Sequence, residues 1–258
     1  MKVTTLFLSE NNMFSIVLPA YKEKENLAVF IPQIEAEFSG EDFEVIVVDD
    51  HSMDGTRELV DDLQNKYQNI SLLERPGLLG IGSALRDGYN LARGEYILSS
   101  DSDLSFSAGD MRRLYAKIQT GFDLVLGFKI APGLTIADDS SDDMKQKAHT
   151  LQGWCENHII SPMSNWIIGL MSGVGLKNYN TNFRVIRSST WKSFRTVEDR
   201  QFFLFETIIR AKQAGARIGE IPVVFSPRKF GESKVSFLKQ AWGYFFKLIF
   251  MVYFDRQK

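Results

Sequence analysis

Short apolar runs alternate along the chain with stretches whose apolar residues recur three and four positions apart. Phe14 to Leu18, Phe43 to Val48, Ile70 to Leu73, Tyr96 to Ser99 and Leu124 to Leu126 are β-branched or aromatic and are bounded by Pro, Gly or Asp. Each predicts a short buried strand. Between them, Leu59, Leu63 and Tyr67 fall at i, i+4 and i+8 behind the capped start Asp54-Gly55-Thr56. Met111, Leu114, Tyr115 and Ile118 form a similar stripe behind Ser107, so both stretches predict helices. Strand alternating with helix implies an α/β domain, with a mainly parallel sheet covered by helices on both faces.

The rhythm breaks after Gly127. Residues 131–147 hold a Pro, a Gly and the acidic run Asp138-Asp139-Ser140-Ser141-Asp142-Asp143, which predicts an exposed loop, a candidate lid. Residues 144–176 predict a long helical segment carrying Trp154, Ile159, Trp166, Ile167 and Leu170, more apolar than a surface helix needs and suited to core or to lipid. A strand through Phe183 to Ile186, a helix from Arg200 to Ala214, a strand through Ile218 to Val224 and a terminal helix complete the pattern.

Composition narrows the picture. With 258 residues, 44% hydrophobic and 24% charged, the chain buries one sizeable core, as one domain or a domain plus an extension. A single cysteine, Cys155, makes no internal disulfide, and histidines 51, 149 and 158 have no zinc spacing, which fits a reducing, cytosol-facing compartment. The apolar patch Leu6 to Leu8 is too short for a secretory signal. The stretch Ala241 to Phe254 contains Lys247 and falls short of the roughly 20 residues that span a bilayer, so no transmembrane helix is expected.

The net charge of -2 hides an asymmetry. From Arg210 onward there are 10 Lys+Arg against 3 Asp+Glu, or +7, leaving 20 against 29, or -9, before it. These basic residues lie among Trp242, Tyr244, Phe245, Phe246, Phe250, Tyr253 and Phe254. That mixture suits an amphipathic helix on an anionic membrane surface better than a nucleic-acid groove. An ordinary packed terminal helix is the alternative.

Two acidic corners carry the candidate chemistry. Asp49-Asp50 and Asp101-Ser102-Asp103 each follow an apolar run, and in an α/β sheet residues just past strand ends converge on one crevice. Two aspartates one residue apart can hold a divalent cation against a diphosphate, with Asp103 as the ligand; alone, such a triplet as often caps a helix. Asp50 can accept hydrogen bonds from a base or ribose, and Pro19, Tyr21 and Glu23 in LPAYKEKEN sit at the mouth of the first strand. GLLGIG (77–82) is not a dinucleotide fingerprint, because its third glycine would fall at Leu85.

Taken with ERPGLLGIGSALRDGYNLARGEYILSSDSDLS (74–105), these segments resemble the family 2 glycosyltransferases of GT-A fold, most closely the dolichol phosphate mannose synthase group. The resemblance spans about residues 14–237 and continues through NTNFRVIR (180–187) and SPRKFGESKVSF (226–237). It implies a Rossmann-like GT-A catalytic domain over 1–237 and a membrane-interfacial amphipathic helix over 238–258. By resemblance, Pro19, Tyr21, Glu23, Val48 and Asp50 hold the nucleotide. Asp101, Ser102 and Asp103 meet the ribose, diphosphate and metal, Ser105 completes the shell of a Mg2+ or Mn2+ ion, and Lys129 lies beside the donor. Arg184, Arg228 and Lys234 meet the acceptor phosphate. Three positions depart from the pattern: Lys129 where relatives often have Arg, Asn178 where they often have Asp, and Leu204 where they often have Gln.

The activity so implied is metal-dependent, inverting transfer of a sugar, first of all mannose from GDP-mannose, onto dolichyl or polyprenyl phosphate. UDP-glucose or UDP-N-acetylglucosamine is the alternative donor, with polyprenyl phosphate or another acceptor. A nucleotide-binding scaffold subunit that has lost catalysis is the alternative of another class. The expected setting is peripheral, on the cytosolic face of a membrane. Relatives often carry transmembrane helices after the catalytic domain, which leaves room for a membrane partner subunit.

Overall fold

The computed structural model describes residues 13–130, 168–170, 172–224, 247–252 and 255. The acidic loop, most of the apolar segment after it, and Arg228 and Lys234 lie outside the described residues. The element order is β1 (Phe14–Ala20), α1 (Lys24–Glu37), β2 (Phe43–Asp49), α2 (Thr56–Lys66), β3 (Ile70–Glu74), α3 (Ile81–Leu91), β4 (Tyr96–Ser99), α4 (Ala108–Ile118), β5 (Leu124–Ile130), β6 (Arg184–Arg187), α5 (Ser188–Lys192), α6 (Phe203–Gln213) and β7 (Ile218–Val224).

The strands form one seven-stranded sheet in the order β3-β2-β1-β4-β6-β5-β7. Only β6 runs against its neighbours, β4 and β5. The continuous apolar runs follow from burial of both sheet faces. Phe14, Ile16 and Leu18 of β1, with Val45 and Val47 of β2, enter a core shared with α1, α2 and α4. The intervening Val17, Ile46 and Val48 enter a second core shared with α3 and α6. Side chains alternate across a strand, so a strand covered on both faces takes apolar residues at most of its positions.

The glycine-rich turn before α3 is a packing device. Gly80 takes φ +105°, and a Cβ there would lie 2.6 Å from the Asp199 carbonyl. A Cβ on Gly82 would lie 2.6 Å from both the Arg200 carbonyl and Phe203 Cβ. The 198–203 segment thus presses directly on the backbone of α3. Arg86 fastens the same contact through Asp199 (2.9 Å) and the Glu198 carbonyl (2.6 Å).

Residues 247–252 are helical, and Leu248 and Met251 are buried in the α6 core. Arg210 of α6 pairs with Asp255 at 2.5 Å, and Gln213 donates to the Met251 carbonyl at 3.2 Å. One side of this stretch is therefore packed, while Phe250 is 60% exposed. No helix among the described residues is long and apolar enough to cross a membrane.

Gly82→Ala is expected to destabilise the fold by about 1–3 kcal/mol, because backbone stands in the way of the added methyl. Urea denaturation of both proteins measures it.

Candidate active site

The crevice opens where the strand order reverses. β1 lies between β2 and β4, so its carboxyl end is the switch point at which α/β sheets bind ligands. The loops leaving β1, β2 and β4 are tied together there. Ser102 Oγ donates to the Pro19 carbonyl (2.8 Å), Asp50 N–H to the Ala20 carbonyl (3.0 Å), and Lys22 N–H to Ser52 Oγ (2.7 Å). Lys22, His51 and Leu104 are the non-glycine residues of positive φ among those described, at +60°, +58° and +62°. One lies in each of these loops. Such conformations cost about 1–3 kcal/mol each and persist where surrounding structure enforces them.

The two aspartates after β2 have different tasks. Asp49 accepts from Ser52 N–H (2.8 Å) and Ser52 Oγ (2.5 Å), shaping the turn. Asp50 is nearly buried and accepts from Gly80 N–H at 3.1 Å. Arg75 Nη1 lies 3.1 Å from its other oxygen, close enough for charge attraction but without hydrogen-bond alignment. Burial raises the Asp50 pKa above the ordinary carboxylate value, while the Gly80 amide, Arg75 and the Leu79 amide oppose the rise. Tyr21 and Glu23 follow β1 on the same rim, and Glu23 accepts from Asn26 Nδ2 at 2.6 Å.

Beyond β4, Asp101 is half-buried and takes a long contact from Asn182 Nδ2 at 3.3 Å. Asp103 accepts the Ser105 N–H at 3.0 Å, which closes the turn through Leu104. Lys129 is exposed on β5, its Nζ 5.9 Å from the Phe106 ring. Among the described residues no group of three or more His, Cys, Asp and Glu forms a metal cage.

Arg184 sits deeper than the sequence implied. It pairs with Ser99 on β4 and Leu126 on β5, and it is fully buried. Its guanidinium donates to the carbonyls of Thr181 (Nε, 3.0 Å) and Leu204 (Nη1, 3.0 Å). Burial pulls its pKa down to about 10, with Tyr89 and Asp101 holding it up, so it stays charged at neutral pH. In this arrangement its donors face backbone carbonyls. The Val48 side chain is buried in the core against α3.

The Glycosyl transferase family 2 model matches residues 15–143. The chain belongs to glycosyl transferase family 2. It is 30% identical to dolichol-phosphate mannosyltransferase of Saccharomyces cerevisiae over 230 residues, covering 86% of this chain and 81% of the relative. It is 26% identical to polyprenol monophosphomannose synthase of Mycolicibacterium smegmatis over 229 residues, covering 86% and 80%. It is 27% identical to glycosyltransferase AglD of Haloferax volcanii over 236 residues, and there the match spans 89% of this chain but 35% of AglD. Glucosyl-3-phosphoglycerate synthase from Mycobacterium tuberculosis superposes with a TM-score of 0.64 at 16% identity, covering 92% of this chain and 77% of that one. That likeness, together with the sheet order, shows the GT-A fold.

Two departures of this family 2 chain from the expected pattern, Leu204 and Asn178, keep local backbone bonds. Leu204 meets Arg184 through its backbone carbonyl, which a Gln would supply equally. Asn178 Oδ1 accepts the Asn180 N–H at 3.0 Å, the turn bond that an Asp would also make. Sequence reasoning missed Arg75 and Asn182. A charged residue wedged between a strand end and Pro76 was the available signal for Arg75, and the place of Asn182 within NTNFRVIR was the signal for it.

Arg184→Met is expected to cost about 1–3 kcal/mol, since it removes the side-chain donors that the buried Thr181 and Leu204 carbonyls accept from. Chemical denaturation at neutral pH reads the loss.

Proposed function

We propose that this family 2 chain transfers a sugar from a nucleotide-sugar to the phosphate of dolichyl or polyprenyl phosphate, inverting the anomeric carbon. The observation that carries the reading is the convergence of the Asp50 and Asp101–Asp103 corners on the β1 switch point. Two relatives matched over four fifths of their length, a dolichol-phosphate mannosyltransferase and a polyprenol monophosphomannose synthase, support this acceptor and make mannose the first sugar to test.

In this reading Tyr21, Glu23 and Asp50 hold the nucleoside, and Asp101 and Ser102 hold the ribose and diphosphate. The hard oxygen donors Asp103 and Ser105, with Asp101 nearby, fit Mg2+ or Mn2+, ions that commonly take one or two carboxylates and complete their shell with phosphate and water. Such an ion, when bound, supplies positive charge beside the departing diphosphate. Lys129 adds charge from the β5 rim. A lipid phosphate is already an anion at neutral pH, so it attacks without a general base, and the protein contributes positioning and charge. Arg228 and Lys234 hold that phosphate by resemblance. Arg184 joins them only by leaving the Thr181 and Leu204 carbonyls.

The domain comprises residues 1–237, and residues 238–258 rest on the cytosolic face of a membrane, with Phe250 on the side away from the core. A membrane partner subunit is compatible with this placement.

Asp103→Ala is expected to abolish transfer of radiolabelled sugar into organic-extractable polyprenyl phosphate. GDP-mannose, UDP-glucose and UDP-N-acetylglucosamine are compared with Mg2+ or Mn2+. Retained turnover removes Asp103 from the mechanism, and absence of label from every donor with the unaltered chain contradicts the lipid-phosphate acceptor. Phe250→Asp is expected to reduce co-sedimentation with anionic vesicles several-fold at unchanged folding stability. Equal sedimentation marks that helix as packing alone.

A further inference from the structure

Asn182 has no place in the mechanism above, yet it is 2% exposed and stands beside an acidic corner of the crevice. Its position follows from strand pairing. β6 runs antiparallel to β4 with Ser99 opposite Arg184, and the same register carried past the end of β4 sets Asp101 opposite Asn182. The two side chains meet there, Asn182 Nδ2 donating to Asp101 Oδ1 at 3.3 Å. Asp101 is half-buried while Asn182 is closed from solvent, so the amide approaches the carboxylate from the protein side.

The backbone that carries this amide is pinned on both sides. The Asn182 carbonyl accepts Ser99 Oγ at 2.8 Å, and Ser99 Oγ meets Tyr89 Oη at 2.6 Å. One residue earlier, the Thr181 carbonyl accepts Arg184 Nε at 3.0 Å, and Thr181 Oγ1 accepts the Phe183 N–H at 3.1 Å. Arg184 thus clamps the turn entering β6 and, through it, Asn182. The other end of the amide gains nothing from this place, because Asn182 Oδ1 is buried without a hydrogen-bond donor. An unpaired buried oxygen costs stability that a smaller apolar side chain here would not forfeit, so the bond from Nδ2 to Asp101 is what the amide contributes.

We infer that Asn182 is a positioning residue of the crevice: held by the Arg184 clamp and by Ser99, its amide fixes the Asp101 carboxylate in the orientation that meets the ribose and diphosphate of the donor, without itself touching them. This rests on the reading that Asp101 faces a nucleotide. Around the pair, Arg184 of β6 attracts Asp101, Tyr89 of α3 lies beyond that guanidinium, and Asp103 follows in the same turn.

Asn182→Asp separates positioning from packing. The introduced carboxyl has nearly the shape of the amide; protonated, it donates to Asp101 as the amide does, and ionised, it repels Asp101. Burial and the neighbouring carboxylate both raise its pKa, so it donates toward acid pH and repels toward alkaline pH. The full chain is titrated calorimetrically with GDP and with UDP in the presence of Mg2+, from about pH 6 to about pH 8.5, the range in which a buried carboxyl beside another titrates. Each variant is compared with the unaltered chain at the same pH. Asn182→Asp is expected to bind within about twofold of the unaltered chain at the acid end and to fall about tenfold or more below it at the alkaline end, a unit of pKa being a tenfold shift in population. Asn182→Ala has no donor at any pH and is expected to lose about tenfold throughout, the scale of a hydrogen bond to a charged group. If Asn182→Ala does not fold, the pH trend of Asn182→Asp decides alone. Near-ultraviolet circular dichroism of Asn182→Asp is expected to match the unaltered chain across the range. Unchanged affinity in Asn182→Ala, an Asn182→Asp loss that is flat across pH, or a loss that comes with a collapsed dichroism signal overturns the inference and leaves Asn182 a structural residue. Failure of the unaltered chain to bind either nucleotide overturns the nucleotide reading itself and the inference with it.

Discussion

Asp49, Asp50, Asp101 and Asp103 share one edge of the sheet, and all but Asp101 are nearly buried. Carboxylates gathered in a poorly solvated place drift toward protonation unless positive charge or oriented amides oppose it. Arg75 and Arg184 provide that charge from below, one under Asp50 and one near Asp101, and both are themselves buried. At Asp50 the Gly80 amide opposes the rise ahead of Arg75. The charge on Asp50 depends on an amide and a buried cation opposing the effect of burial.

That dependence explains the tight construction of the surrounding loops. The bonds from Ser102 to Pro19, from Asp50 to Ala20 and from Lys22 to Ser52 lock the three loops into one unit. The positive φ angles at Lys22, His51 and Leu104 are the conformational cost of the arrangement. Rigidity of this kind suits a catalyst whose contribution is placement and charge rather than proton transfer.

A second network runs from the far end of the chain to the same crevice. Asp255 pairs with Arg210, whose neighbour Glu206 accepts the N–H groups of Val197 and Glu198, and the Asp199 carbonyl accepts Ser83 N–H on α3. Burial raises the Glu206 pKa against those amide bonds and Arg210. The described part of the terminal helix is thus joined by direct contacts to the segment that Arg75 and Gly80 belong to. An exposed Phe250 on a helix anchored in this way reconciles its aromatic, basic composition with a packed inner side.

Much of this was legible in sequence because its causes are local. The strands were readable from runs apolar at most positions, the mark of a sheet covered on both faces, and the acidic corners from their place at strand ends. The residues that depend on partners remote in the chain were not. Arg184 reads as a phosphate contact within NTNFRVIR, and an antiparallel strand entering between β4 and β5 carries it into the middle of the sheet. Val48 reads as part of the VDD corner, yet the pleat turns it into the core beneath α3. Arg75 reads as one basic residue among many until Asp50, Ser83 and Asp87 close around it. Sequence alone determined the type and order of most elements and the chemistry available at their ends, since both follow from neighbouring residues. Only the tertiary structure decided which charges are buried and which stay exposed, because burial is set by strand order and packing between segments distant along the chain.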